Sequence, residues 1–118
     1  LITTVAGATT LFNATTGEIA STEHGIAFIT DLHSECINIA KSEKIQVSDD
    51  NLAQQRHFLS DKESTWNSSM RRDMVNKSKI ESAHIFLELI NIADKNNVEC
   101  PSLKTVMING EIYMRSLV

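Results

Sequence analysis

Between Pro101 and Leu117 the apolar residues fall at Leu103, Val106, Met107, Tyr113, Met114 and Leu117. That three-and-four spacing lays them on one face of a helix. Pro101 or Ser102 opens it, and proline disfavours helix at the residue before it, so "VECP" reads as a short connector. Gly110 weakens the middle of the segment. A second strong pattern lies upstream. Ile80, Ala83, Leu87 and Ile90 repeat at three and four, while Ile85, Phe86, Leu89 and Ile92 widen the stripe, which predicts a helix packed on more than one side. Ser78 and Glu81 have the S-x-x-E spacing of a capping box, which places the helix start near Ser78. Its end is expected at "KNN", where Asn96 or Asn97 can take the left-handed conformation.

Earlier in the chain the signals weaken. Ile26, Ile29, Leu32, Cys36, Ile39 and Ala40 predict a helix from Ile26 to about Lys44, with Lys41 and Lys44 near its negative pole. Ser48 is a natural N-cap, with Asp49 and Asp50 in the first turn and Leu52, Ala53 and Leu59 as a modest inner face. "SDKESTWN" reads as a polar loop. Ser68 or Ser69 can cap a short helix through Arg72 and Met74. The segment Leu1 to Phe12 is apolar and rich in small residues, compatible with a strand or a buried helix. "NATTGE" after it reads as a break with Gly17 at the turn. The sum is one all-α domain over residues 1–118, of five to seven helices.

Composition narrows the function classes. The 118 residues include one proline and four glycines, too few for the tight turns of a sandwich or barrel. The formal charge of −4 comes with no basic face, which argues against nucleic acid as a partner. Cys36 and Cys100 lie far apart and form no CxxC, as expected of reduced thiols in a cytosolic protein. No apolar run has the length of a membrane span. "LITTVAGATTLF" begins in the middle of an apolar pattern without a cap, so the chain is expected to be part of a longer one.

The residues that could carry chemistry are few. His24, His33, His57 and His84 form no HxxxH or HExxH pair, so a metal site is not expected, and His84 reads as a core or rim histidine. The glycines make no phosphate-cradling loop. A capping box accounts for Glu81, and an N-cap for Ser69. Arg71 and Arg72 could bind a phosphate or carboxylate, but an adjacent pair points to different sides of a helix and usually marks a solvated face. Physical reading alone therefore predicts a helical domain with no self-contained active site.

A family resemblance adds to this. "SSMRRDMVNKSKIES", followed by "LELINIADKNNVECPSLKTV", resembles the C-terminal domain of ketopantoate reductase (2-dehydropantoate 2-reductase), a fold shared with 6-phosphogluconate dehydrogenase-type reductases. Ser68, Ser69, Met70, Asp73, Glu81, Val98 and Pro101 fall in register with the family pattern. "TTLFNATTGEI" is similar to its early segment, and Glu35 stands where the family has a Glu at the head of a helix. The most specific part is SSM-x-x-D with a Glu twelve residues after the second Ser. The resemblance implies a preceding Rossmann domain that binds NADPH, and a helical domain that closes over the cleft and contributes to substrate binding and dimerisation. It implies reduction of ketopantoate, or a related 2-keto acid, to the 2-hydroxy acid, in pantothenate and coenzyme A synthesis. Substrate binding falls on Ser69 and Thr16. Glu81 is implied on the cofactor side, where it helps to organise a catalytic lysine.

The chain departs from the family pattern at telling places. The lysine belongs four residues before position 2 and lies outside the chain, so the 118 residues alone are expected to be inactive. Two substrate-binding asparagines belong where Ile2 and Ala6 stand, and a third corresponds to Thr16. Thr-Glu-Ile-Asp has become Ile80-Glu81-Ser82-Ala83, and the following Asn-Gly has become Phe86-Leu87. A more apolar pocket suits another 2-keto acid. The alternative is a non-catalytic helical module that kept the fold for dimerisation or ligand binding.

Overall fold

The computed structural model of the chain describes residues 1–80 and 83–117, Ala83 by its backbone alone. Among these residues the chain is all-α. In order, the helices are α1 (Ile2–Phe12), α2 (Thr16–Ala20), α3 (Glu23–Ser42), α4 (Asp49–Leu59), α5 (Ser69–Val75), α6 (Ala83–Lys95) and α7 (Pro101–Ser116). α1 packs on α7, α3, α5 and α2, and α7 packs on α6, α1 and α3. The shared core holds Val5, Ala8, Ile29, Leu32, Ile39, Phe86, Ile90, Leu103 and Val106. Gly7 sits where α1 crosses α7, and a Cβ there would lie 3.0 Å from a methyl of Val106.

In the first segment, a helix lets Thr9 and Thr10 be buried at little cost. Thr9 donates to the Val5 carbonyl at 2.6 Å and Thr10 to the Ala6 carbonyl at 2.8 Å. Bonding back one turn satisfies a hydroxyl that would otherwise need a partner in the core. The expected break at 13–18 is instead a turn followed by α2. Asn13, not Gly17, takes the left-handed conformation, at φ 49°. The capping box belongs to Thr15 and Glu18: the Thr15 hydroxyl accepts from the Glu18 amide and the Glu18 carboxylate accepts from the Thr15 amide at 2.9 Å. The Thr15 amide, and then its hydroxyl, hold the Glu18 carboxyl below its usual range. Gly17 is needed for close approach rather than for a turn. A Cβ there would lie 2.1 Å from the Ser64 carbonyl oxygen.

α3 starts three residues before the expected Ile26, because the Thr22 hydroxyl caps it by accepting from the Gly25 amide at 3.0 Å. Its Glu35 is not at a helix head but in mid-helix, buried, with both carboxylate oxygens turned onto α7. They accept from the Ser102 and Leu103 amides at 3.1 and 2.9 Å. Cys100, the N-cap of α7, offers no side-chain bond of its own. A residue more than half the chain length away thus supplies the cap that the local sequence lacks.

α4 begins as expected, with the Ser48 hydroxyl accepting from the Asn51 amide at 3.1 Å, but Ala53 points to solvent. The helix predicted from Ser78 is corrected. Ser78, Lys79 and Ile80 are not helical, and α6 is described from Ala83. Glu81, expected as its capping partner, lies outside the described residues. Phe86, Ile90 and Ala93 form the buried face of α6, whereas Ile85 and Leu87 are exposed, so the described helix is packed on one side. Its end is a Schellman turn. Asn97 is left-handed at φ 56°, Val98 donates to the Ala93 carbonyl and Asn97 to the Asp94 carbonyl. α7 runs through Gly110, which is buried.

Candidate functional site

The N-terminal half of α1, the loop after α4 and the start of α5 enclose a groove of about 280 Å³. Its lining is Ile2, Val5, Ala6, Trp66, Asn67, Ser68, Ser69 and Arg72. Ile2 and Ala6 are one turn apart on α1, so they fall on the same face, with Val5 behind them in the core. Trp66 packs edge-on against Phe58 with ring centroids 4.5 Å apart. One wall is therefore apolar.

The opposite wall is built by the motif 68–72, and its five residues divide by helical period. Ser68 is the N-cap of α5. Its hydroxyl accepts from the Arg71 amide at 3.0 Å and is 2.7 Å from the Thr9 hydroxyl of α1. Arg71 also turns to α1, donating from Nε to the Asn13 side-chain oxygen at 3.1 Å and from Nη2 to the Asn13 carbonyl at 3.2 Å. A cation at that helix end also meets the negative pole of α1. Met70 is buried in the core. Ser69 and Arg72 are exposed, line the groove, and make no side-chain hydrogen bond or ion pair among the described residues. The cap therefore belongs to Ser68, and the Ser69 hydroxyl has no partner among the described residues. Of the two arginines one is structural, and Arg72 is the one that reaches the site.

Thr16 is elsewhere. It is fully buried, it does not line the groove, and its hydroxyl donates to the Ser64 hydroxyl at 2.8 Å. Its amide donates to the Trp66 carbonyl at 3.0 Å, and the Gly17 amide to the Ser64 carbonyl at 3.0 Å. The first two amides of α2 are thereby satisfied, and the loop that carries Trp66 into the groove is fastened down. Thr16 is linked to the groove through that loop. The placement of Glu81 relative to the groove lies outside the described residues.

Other chemistry-bearing groups stand apart from this groove. Burial pushes the Cys36 and Cys100 thiols up, which keeps both protonated, and both are free. Burial also holds His33 below its ordinary value, although its bond to Gln55 at 2.7 Å works the other way. Among the described residues no three His, Cys, Asp or Glu side chains gather as a metal site. No described helix is long and apolar enough to cross a membrane. A second concavity, lined by Phe12, Ala14, Ile19 and Phe28 with Glu18 and His24, is almost wholly apolar.

Comparison with known proteins gives the groove a context. The family model described as Ketopantoate reductase PanE/ApbA C terminal matches residues 1–109. Among solved structures, the fold is similar to that of a dimeric ketopantoate reductase from Staphylococcus aureus, described with kinetic cooperativity, at a TM-score of 0.82 and 18% identity. The alignment covers 97% of this chain and 40% of that one, so the chain spans less than half the length of that relative. No curated protein sequence gives a significant match.

Proposed function

The chain belongs to the ketopantoate reductase C-terminal family, and from that premise we propose that it is the helical, substrate-side domain of an NADPH-dependent reductase of 2-keto acids, related to 2-dehydropantoate 2-reductase. One observation carries the reading. Ile2, Ala6 and Ser69, three positions that the family resemblance assigns to substrate, line one groove although Ser69 lies far along the chain from the other two.

A Rossmann domain ahead of Leu1 would hold the cofactor. The groove carries a single cation and no run of glycine amides, which suits a small carboxylate and not the phosphates of a dinucleotide. When bound, NADPH supplies the hydride for the 2-keto carbon. The residues of this chain then orient the acid. The Ser69 hydroxyl donates a hydrogen bond to the substrate, and the α1 wall excludes water from its apolar part. Charge builds on the keto oxygen as the hydride arrives, so a donor must already be aimed there. That role is assigned to a lysine one turn ahead of Ile2, where a continued α1 would present it on the stripe of Ile2 and Ala6. Glu81 is assigned the support of that lysine on the cofactor side. Thr16 contributes indirectly, by holding the Trp66 loop. A cytoplasmic enzyme that feeds pantothenate and coenzyme A synthesis, acting as a homodimer, is the setting this reading favours.

The test is consumption of NADPH by the full-length protein with a panel of 2-keto acids. Turnover is expected, and Ser69→Ala should lower kcat/KM by about tenfold to a hundredfold, the worth of one hydrogen bond to a charged substrate. Absence both of turnover and of NADPH binding would sink the proposal. It would favour the second reading, a non-catalytic binding or dimerisation module, for which Ile2 and Ala6 in the groove already speak.

A further inference from the structure

Ser69 and Arg72 are three residues apart on α5, which sets them on the same face about one turn from each other. Both line the groove. Their neighbours Ser68 and Arg71 are spent on α1, and the Asn67 side-chain oxygen is spent on the Ser68 amide at 2.8 Å. On the α5 face the donors without a partner among the described residues are thus a hydroxyl and a guanidinium. The rest of the groove is Ile2, Val5, Ala6 and Trp66, none of which can meet a hydroxyl with a side-chain oxygen. Nothing among the described residues neutralises Arg72, since the one ion pair there joins Lys104 to Asp94.

Resting on the reading above, we propose that Arg72 is the carboxylate anchor of this groove and that Ile2 and Ala6 select 2-keto acids with wholly aliphatic side chains. A planar guanidinium offers two parallel donors that match a carboxylate, and the Ser69 hydroxyl adds a third from the same helix face. With the carboxylate fixed at the α5 end, the side chain of the acid is laid on the α1 wall. A branched hydrocarbon buries apolar surface there. A side chain ending in a hydroxyl, as in ketopantoate, would lay that group against Ile2 and Ala6 without a side-chain acceptor for its proton. Discrimination of about tenfold to a hundredfold in favour of the aliphatic acid follows from one unmade hydrogen bond. Ile2 and Ala6 are thereby specificity residues, and Arg72 a substrate-binding one.

The experiment uses the full-length protein and two readouts. The first is kcat/KM for 3,3-dimethyl-2-oxobutanoate, for its 4-hydroxylated relative ketopantoate, and for the uncharged amide of the first acid. The second is quenching of Trp66, the only tryptophan among the 118 residues, with Trp66→Phe identifying its share of the signal. The aliphatic acid should be preferred by about tenfold or more. Arg72→Met should weaken binding and turnover of the acids by about tenfold to a hundredfold, a far larger factor than for the amide, and Arg72→Lys should restore part of the loss. A preference for the hydroxylated acid, or equal losses for acid and amide in Arg72→Met, overturns the inference while the reductase reading stands. Quenching by the acids that depends on Arg72, without NADPH consumption, upholds the carboxylate site and removes the reductase reading. Absence of quenching by any acid overturns the site itself.

Discussion

α5 carries two adjacent pairs of like residues, and its two faces treat them differently. Ser68 and Arg71 face α1 and have their polar atoms taken up, by the α5 amides, Thr9 and Asn13. Ser69 and Arg72 face the groove, where theirs have no partner among the described residues. The residue types are the same, so chemistry alone does not separate the pairs. A helix turns about 100° per residue, and only one of its faces meets α1. Polar groups consumed by the backbone of a neighbouring helix are structure. Polar groups left over beside an apolar wall are candidates for binding.

The strongest way to break the contrast is to remove the support that both faces share. Gly17→Ala would place a methyl 2.1 Å from the Ser64 carbonyl oxygen, so the loop that brings Trp66 into the groove must lift away from α2. A loss of about 3 kcal/mol is expected, read as a fall in Tm, because the atom in the way is backbone and cannot rotate aside. A Tm within a degree or two of the parent would mean that the loop is not held as described.

A smaller and more specific test sets the two serines against each other. Ser68→Ala removes a cap and a link to Thr9 and should cost about 1 kcal/mol of stability. Ser69→Ala should stay within about 0.5 kcal/mol of the parent in denaturant unfolding, as an exposed surface change does, while turnover falls as stated above. Equal stability losses at both positions would erase the distinction between the faces.

The mildest test asks whether any left-over polar atom will do. His33 also has one, since its Nδ1 is buried without a partner, but nothing in solution can reach it. Burial lowers its pKa in the folded state, so the unfolded chain takes up the proton more readily. Stability should be intact above the ordinary value of 6.5 and should fall as pH drops below it towards the folded value. His33→Gln should flatten that part of the pH-stability curve while leaving turnover on the keto acids nearly untouched. An unchanged slope in the variant would show that other groups set the acid limit.

How legible these features are in the sequence follows from the range of the interactions behind them. The periods in α3, α6 and α7, the Ser48 cap and the left-handed Asn97 depend on neighbours within a turn or two, and each is readable from spacing. α2 was hidden by its own glycine. "TTGE" holds a T-x-x-E box, but Gly17 makes the stretch look like a turn, and the reason for that glycine, the Ser64 carbonyl, lies far along the chain. The S-x-x-E at Ser78 shows the opposite error, because Lys79 and Ile80, which such a box would place in the first turn, are not helical. Spacing alone cannot tell a box that caps from one that does not.

For the site, the sequence by itself supplied the helical class and, through SSM-x-x-D, the family, with Ser69 as a candidate. The tertiary structure decided which serine caps α5, which arginine is tied to α1, that Thr16 fastens a loop and does not line the groove, and that Glu35 is the missing cap of α7. The physical reason is common to all four. A hydrogen bond is decided by which donor and acceptor come within about 3 Å, and for residues tens of positions apart that distance is fixed by how helices pack, not by the order of the chain.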